Sequence, residues 1–257
     1  PGYRADVVLL DDLKDFHVNR VFIQGALVAE EGKYLPEIKR YDISTVKGSV
    51  IVKDFSAEKF KMHLKSNKVN VIKILPGGVV TAKDTAEIQL DENGEFVRNP
   101  EEDIVKVAVV ERHQGTGNVA CGFLKGYGIK AGAVALSIAH DSHNIIVVGV
   151  SDEEMEFAVN SLIAQEGGIV LVKEGKVIEQ MPMPIAGLMS DQSGEWVDEK
   201  LTSIHEKAYT ELGICGDVEP VMTLCFMSLA VIPEIKLTDM GLFDVTTFSF
   251  IPVEISR

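Results

Sequence analysis

Hydrophobic residues occur along this chain in short runs separated by polar or glycine-containing turns, the pattern typical of β-strands. Several runs are apolar at almost every position, which predicts buried strands. Many successive runs are joined by short turns, so we expect hairpins. The runs with strand character cover residues 5–10, 18–23, 26–29, 69–75, 79–82, 86–90, 104–110, 133–136, 145–150, 169–173, 176–181 and, interrupted by a proline, 243–255.

Two segments have the period of amphipathic helices. The first follows Ser151, whose spacing to Glu154 is that of a capping box. The second begins near Ser193, and a third, short helix is predicted after Ser56. The apolar faces of the two longer helices comprise Met155, Ala158, Val159, Leu162 and Ile163 in the first and Val197, Leu201, Ile204, Ala208 and Leu212 in the second.

These elements favour an α+β fold in two parts. Residues 1–42 contain three short strands. A sheet this small suggests that other strands complete it. The polar residues 36–50 have little periodicity and indicate a boundary. Residues 43–257 are predicted to form a mixed, mostly antiparallel sheet with a few covering helices.

Composition limits the partners and the compartment. The 257 residues carry a formal net charge of -14 and no run of Lys or Arg, which argues against nucleic acid and anionic membranes as partners. The three cysteines, Cys121, Cys215 and Cys225, lack a CxxC spacing. They indicate buried free thiols in a reducing compartment, so we expect a cytoplasmic protein. The longest apolar stretch, residues 221–232, is too short to span a bilayer.

The densest patch of potential chemistry is a polar segment between two buried runs. It contains His140, Asp141, His143 and Asn144. Imidazoles beside a carboxylate at a strand end suit proton transfer or metal binding. In the functional interpretation, Asp141 orients a histidine in an acid–base or metal-linked group. In the structural alternative, the segment is a hydrogen-bonded turn in which His140 and Asp141 cap strand ends.

A second polar segment, residues 111–118, also follows a buried run and carries Glu111 and His113. Its two glycines allow a tight turn, but no helix opens after them, so phosphate binding is not indicated. The structural alternative is a surface hairpin with a salt bridge between Glu111 and Arg112. Because both polar segments follow strands and carry histidines, we expect them at one end of one sheet.

Common catalytic and nucleotide-binding motifs are absent from the sequence, including HExxH, GxSxG, the Walker loop and GxGxxG. An independent hydrolase metal site would have to use His113, His140 and His143, which is not a recognised ligand set. The polar residues 187–194 precede the second helix and are interpreted as its N-cap region.

Other segments resemble a known family. PGYRADVVLLD at residues 1–11 and VFIQG at 21–25 resemble the segment after the catalytic barrel in the amidohydrolase superfamily. The remainder resembles the C-terminal region of the adenine deaminase family, and the resemblance covers essentially the whole chain. The segments that carry it are HDSHNIIVVG at 140–149, MPIAGLMS at 183–190, LCFMSLAVIP at 224–233 and LTDMGL at 237–242.

The resemblance implies that residues 1–42 are the C-terminal part of the amidohydrolase β-sandwich and that 43–257 are the adenine deaminase C-terminal domain. It implies a homo-oligomeric full-length enzyme of purine salvage that converts adenine and water into hypoxanthine and ammonia. A binuclear centre of Mn²⁺ or Fe²⁺ would activate the water, and a carboxylate would carry a proton to the leaving ammonia. Both would lie on a (β/α)8 barrel that this chain lacks, so no metal ligand is expected here.

Three hypotheses follow. The favoured one is that the chain is a piece of a longer enzyme, inactive alone, whose loops cover or contact the active site of its own barrel. The second is a non-catalytic scaffold or oligomerisation domain with an interface at residues 221–232. The third is an independent metal hydrolase. The candidate residues of the favoured hypothesis are His140, Asp141, His143, Asn144, Glu111 and His113.

Overall fold

The computed structural model describes residues 2–256, which divide into two compact units. The first unit ends at Asp42 and contains an antiparallel sheet of four strands in the order β1-β2-β3-β4. None of its described residues is buried, so the sheet has no core of its own. Its assignment to an amidohydrolase β-sandwich stays a prediction. The strands are β1 Val7–Leu10, β2 Val18–Ile23, β3 Ala26–Glu30 and β4 Lys33–Tyr34.

The second unit begins at Ile43 and is built on an eight-stranded sheet in the order β14-β13-β11-β12-β9-β10-β5-β6. Strands β10 and β5 are parallel, whereas the other neighbours are antiparallel. The expected α+β fold with a mixed, mostly antiparallel sheet is therefore confirmed. The strands are β5 Lys68–Ile74, β6 Thr81–Glu87, β9 Ile104–Val110, β10 Val119–Lys125, β11 Ala133–Leu136, β12 Ile145–Gly149, β13 Gly168–Lys173 and β14 Lys176–Pro182.

Two small sheets accompany it. One pairs β7 Gln89–Leu90 with β8 Phe96–Val97. The other contains β15 Ile235–Thr238, β16 Gly241–Asp244 and β17 Ser249–Phe250. The tail is therefore less regular than the predicted strands of residues 243–255, because only its first residues and the short β17 pair in this sheet.

Three helices cover the large sheet: α1 Asp152–Ala164, α2 Gly194–Thr210 and α3 Pro220–Cys225. The hydroxyls of Ser151 and Ser193 accept hydrogen bonds from Glu154 N and Trp196 N, which confirms both predicted N-caps. No helix among residues 2–256 is long and apolar enough to cross a membrane.

The short helix predicted after Ser56 is a single 3-10 turn, Ala57–Phe60. Beyond it the backbone of Lys61 is extended, and the buried carboxylate of Glu95 accepts hydrogen bonds from the backbone N–H groups of Met62 and His63. A tertiary contact has thus replaced the helical bonds of these residues.

Strand β9 explains why the central runs are apolar at nearly every position. Its side chains alternate between two cores, with Val107 and Val109 among residues of α2 and α3 and Ala108 and Val110 among residues of α1. Every residue of β9 is buried. The sheet is therefore covered on both faces, and the buried polar side chains within its strands, such as Lys106 of β9 and Asn70 of β5, are hydrogen-bonded.

Strands β4, β8, β10 and β15 lie outside the predicted runs. The two longer ones, β10 and β15, each carry residues of low strand propensity or positive charge. In β10 these are Gly122 and Lys125. The three cysteines are free, as predicted. Cys215 was expected to be buried, but it is exposed. Burial raises the pKa of the Cys121 and Cys225 thiols to about 12, so these two are protonated at neutral pH.

Lys236 on β15 supplies a test of core electrostatics. Its side chain is fully buried and donates a hydrogen bond to Val79 O at 2.9 Å. Burial lowers its pKa from 10.5 to about 8. Between pH 8 and pH 10.5, Lys236 is protonated to a greater extent in the unfolded chain than in the folded chain. The free energy of unfolding therefore rises with pH over this range.

We predict that Lys236→Met raises the free energy of unfolding at pH 7 and that this gain falls by about 2–3 kcal/mol between pH 7.5 and pH 10.5, since each pKa unit is worth about 1.4 kcal/mol. Urea unfolding at a series of pH values measures it. Lys176→Met, at an exposed lysine, is the matched control. A difference between Lys236→Met and wild type that is constant with pH would contradict the burial argument.

Candidate functional site

The two polar segments lie at one end of the large sheet, as expected from the sequence. Val110 at the end of β9 pairs with Ile145 at the start of β12. Residues 111–118, here called the glutamate loop, therefore lie beside residues 137–144, here called the histidine loop. His113 of the first loop bonds the second directly, with 2.8 Å between its Nε2 and Ser142 O.

Arg112 ties three segments together beneath these loops. Its side chain is 1% exposed. Its Nε donates to His143 O at 2.5 Å, its Nη2 to Ala186 O at 3.2 Å and its Nη1 to Ser49 O at 3.4 Å. The salt bridge of the structural alternative does not form, because these carbonyl groups, and not Glu111, accept its hydrogen bonds. Burial lowers the pKa of the guanidinium, and the Glu111 charge opposes that change.

The backbone around Arg112 is close-packed at Gly187. A Cβ atom there would lie 2.7 Å from Arg112 Nη1, and the φ of Gly187 is +71°. Both facts favour glycine at this position. The buried Ser137 hydroxyl donates to Gly187 O at 2.5 Å and accepts from Gly168 N at 2.8 Å, so the start of the histidine loop is fixed to the same segment.

Glu111 closes its own loop. Its Oε1 accepts from the backbone N–H groups of His113 at 2.5 Å and Gln114 at 2.8 Å, and its Oε2 accepts from Thr116 N at 2.9 Å and Thr116 Oγ1 at 3.0 Å. Burial would raise the pKa of this carboxyl, but these hydrogen bonds lower it to about 2. A carboxylate held ionised by four donors is suited to shaping the loop rather than to carrying a proton.

His140 and Asp141 form a pair at the tip of the histidine loop, with 2.9 Å between His140 Nδ1 and Asp141 Oδ1. The His140 side chain is 50% exposed. Its ring packs edge-on against Phe226, with centroids 5.2 Å apart, and its backbone N–H donates to Cys225 O at 2.7 Å. No residue within 2–256 is hydrogen-bonded to its Nε2, so this atom is available to a group outside the described residues.

His143 and Asn144 lie deeper in the same loop. Burial lowers the pKa of His143, and the nearby Arg112 charge lowers it further, which favours the neutral imidazole. Asn144 is 5% exposed, and its Nδ2 donates to Asp239 Oδ1 at 3.2 Å. Sequence reasoning missed Asp239 as a partner. Its only signal was a position in the LTDMGL segment at residues 237–242, which was noted for its resemblance alone.

The three histidines do not assemble a metal site. Within residues 2–256, no group of three or more His, Cys, Asp or Glu side chains is placed so that it could hold a metal ion. The ring centroids of His140 and His143 are 6.5 Å apart, and His113 Nε2 is already bound to a backbone carbonyl. The hypothesis of an independent metal hydrolase therefore has no support in the geometry of the described residues.

Comparisons with known proteins agree on one family. A model of the adenine deaminase C-terminal domain matches residues 78–249. The chain is 65% identical over 254 residues to adenine deaminase 2 of Desulfotalea psychrophila and 48% identical over 255 residues to adenine deaminase of Ligilactobacillus salivarius. Each alignment covers 99% of this chain and 44% of the relative, so the chain spans less than half the length of these relatives.

The Glu111 geometry predicts acid sensitivity. The pKa of this carboxyl falls from its ordinary 4.5 to about 2 in the folded chain, so its ionised form stabilises the fold above pH 4.5, and this contribution is lost as the pH falls towards 2. We predict that Glu111→Gln lowers the free energy of unfolding at pH 7 by about 2–3 kcal/mol and that the difference shrinks below pH 4.5.

Denaturant unfolding from pH 7 to pH 3 measures this effect. Glu92→Gln, at an exposed glutamate in a turn, is the control and should leave the stability within about 0.5 kcal/mol. Equal stability of Glu111→Gln and wild type at pH 7 would contradict the loop-closing role.

Proposed function

The chain belongs to the adenine deaminase C-terminal domain family, and from this premise we propose that it forms part of an enzyme that hydrolyses adenine to hypoxanthine and ammonia. The observation that carries the proposal is the 65% identity, along 99% of the chain, with a protein named adenine deaminase 2. The enzyme would be a cytoplasmic homo-oligomer that acts in purine salvage.

The residues of this chain do not fit a binuclear metal centre, because no suitable ligand group occurs within residues 2–256. We therefore propose that the Mn²⁺ or Fe²⁺ ions lie on a catalytic barrel outside this chain. On this proposal the chain alone is inactive, and its histidine and glutamate loops cover or contact the active site of the whole enzyme.

The first unit supports the view that this chain is completed by other strands. Its sheet leaves apolar side chains in contact with water on β1 and β2, among them Val7, Val8, Leu9, Val18 and Ile23. Apolar sheet surface of this kind is stabilised when another sheet covers it. A β-sandwich completed by strands outside the chain would do so.

The alternative, a scaffold or oligomerisation domain, finds less support in residues 221–232. Val221, Leu224 and Met227 are buried in the core of the second unit. Met222 and Val231 are exposed. Most of the apolar surface once expected at an interface is therefore used within the chain.

The proposal predicts that the isolated chain, supplied with Mn²⁺, releases no ammonia from adenine, whereas the full-length enzyme does. In the full-length enzyme, replacing His140 and His143 together by Ala should lower kcat/KM for adenine about tenfold or more, the cost of one lost hydrogen bond to substrate. Size-exclusion chromatography should show unchanged assembly. Turnover by the isolated chain would contradict the proposal, and normal kinetics with altered assembly would favour the scaffold alternative.

A further inference from the structure

A cavity of about 300 Å³ lies between the end of β5, with the loop that follows it, and the segment that leads into α3. The residues that line it, here called the α3 cavity, fall within 74–79 and 217–223. None of them belongs to the histidine loop or the glutamate loop. An apolar cavity of about half this volume holds benzene, so the α3 cavity has room for a ligand of about ten non-hydrogen atoms.

The walls of the α3 cavity are mainly apolar. Ile74 and Val218 are buried, and Leu75 and Val79 are half-buried. Met222 also lines the cavity and is 54% exposed, which places it at the mouth. Methionine is flexible and packs against both aliphatic and aromatic groups. These walls suit the apolar body of a ligand.

Two carboxylates give the α3 cavity a negative charge. Asp217 is exposed, and its carboxylate has no hydrogen-bond or ion-pair partner among residues 2–256. Glu219 accepts a hydrogen bond from Met222 N and pairs with His205 Nε2. A carboxylate has about four lone-pair positions, so Glu219 can accept further hydrogen bonds. Among the described residues that line the cavity, none is a lysine, arginine or histidine.

Thr223 supplies the independent observation that points to a ligand. It lines the cavity and is only 7% exposed, yet its hydroxyl has no hydrogen-bond partner among residues 2–256. Buried hydroxyl groups are normally hydrogen-bonded. The hydroxyl of Ser228 also lacks a partner, but it is fully enclosed by protein, whereas that of Thr223 is not. The Thr223 hydroxyl therefore faces the cavity, where a ligand can bond it.

The electrostatics of the α3 cavity favour a cation. Lys236 lies next to the wall and donates to Val79 O at 2.9 Å. Burial is the one cause of its lowered pKa, so neither Asp217 nor Glu219 is paired with it. Asp217 thus lines the cavity without a counter-ion among the described residues. In a chain with a formal net charge of -14, such a cavity attracts cations and repels anions.

We propose that the α3 cavity binds a primary ammonium ion carried on an apolar body, such as an arylalkylamine. An ammonium group has three donors and no acceptor, and it donates here to the Thr223 hydroxyl and to the carboxylates of Asp217 and Glu219. The apolar body packs against Met222 and the other apolar walls. This binding site is separate from both polar loops, and it does not depend on the proposed reaction.

Calorimetric titration of the full-length enzyme with three probes of similar shape tests the charge requirement. The probes are 2-phenylethylammonium, neutral 2-phenylethanol and anionic phenylacetate. We expect the ammonium to bind with a dissociation constant of about 0.1–10 mM, as for a ligand of about nine non-hydrogen atoms. The alcohol should bind at least about fivefold more weakly, because hydrogen bonds of a charged group are stronger than those of a neutral one. Phenylacetate should bind most weakly.

Variants separate recognition from folding. Thr223→Val removes the hydroxyl with little change of shape and should weaken ammonium binding about tenfold, whereas Thr223→Ser should keep it within about twofold. Asp217→Asn should weaken it about two- to fivefold and leave 2-phenylethanol unchanged. Because Asp217 is exposed, this variant serves even if Thr223→Val does not fold. Thr202→Val and Asp198→Asn, at exposed positions on α2, are the matched controls and should change nothing.

The methyl group of Met222 reports where the ligand lies. In enzyme labelled with ¹³C at its methionine methyl groups, 2-phenylethylammonium should shift the NMR signal that Met222→Leu removes. The signal of Met240, which is exposed and does not line the cavity, should stay in place.

Equal binding of 2-phenylethylammonium and 2-phenylethanol would overturn the inference, and so would tighter binding of phenylacetate. Undetectable binding of the ammonium, or binding that Thr223→Val and Asp217→Asn both leave unchanged, would also overturn it. Heat of binding without a shift at Met222 would place the ligand elsewhere and have the same consequence. None of these measurements needs turnover of adenine, so this site and the proposed function can each fail independently.

Discussion

The buried guanidinium of Arg112 is the interaction on which the loop end of the sheet depends. Burying a charge costs several kcal/mol unless hydrogen bonds replace its water. Here the replacements are backbone carbonyls of Ser49, His143 and Ala186, which come from segments far apart in sequence. Because carbonyls carry no net charge, the positive charge remains. Burial is the largest cause of the lowered pKa of His143, and the Arg112 charge lowers it further.

The central strands of the sheet that carries these loops are covered on both faces. Strands β9 and β12 are buried at every position, one face against α1 and the other against α2, α3 and the small sheet of β15 to β17. The one charged side chain within these two strands, Lys106 of β9, is bound by Phe60 O at 2.9 Å and Asp152 Oδ1 at 2.7 Å. Groups able to bind or exchange protons are therefore found where the strands end, in loops that the rigid sheet holds in position.

Much of this arrangement could be predicted from the sequence, because it follows from local patterns. Apolar runs predicted the central strands, and Ser151 and Ser193 predicted two helix starts. The role of Arg112 could not be predicted, because its partners lie 31 to 74 residues away. Its neighbour Glu111 suggested an ion pair, but each side chain instead found backbone partners. Asp239 escaped notice for the same reason, since its bond to Asn144 crosses 95 residues.

Gly187 shows how tightly the site restricts change at a distance. A single added methyl group there would collide with Arg112 Nη1, and any shift of the guanidinium would be passed to His143 through its carbonyl. Position 187 lies outside both loops, yet it contacts Arg112, which is hydrogen-bonded to the histidine loop. During evolution, residues 112 and 187 should therefore change together or not at all, so we expect these two positions to covary.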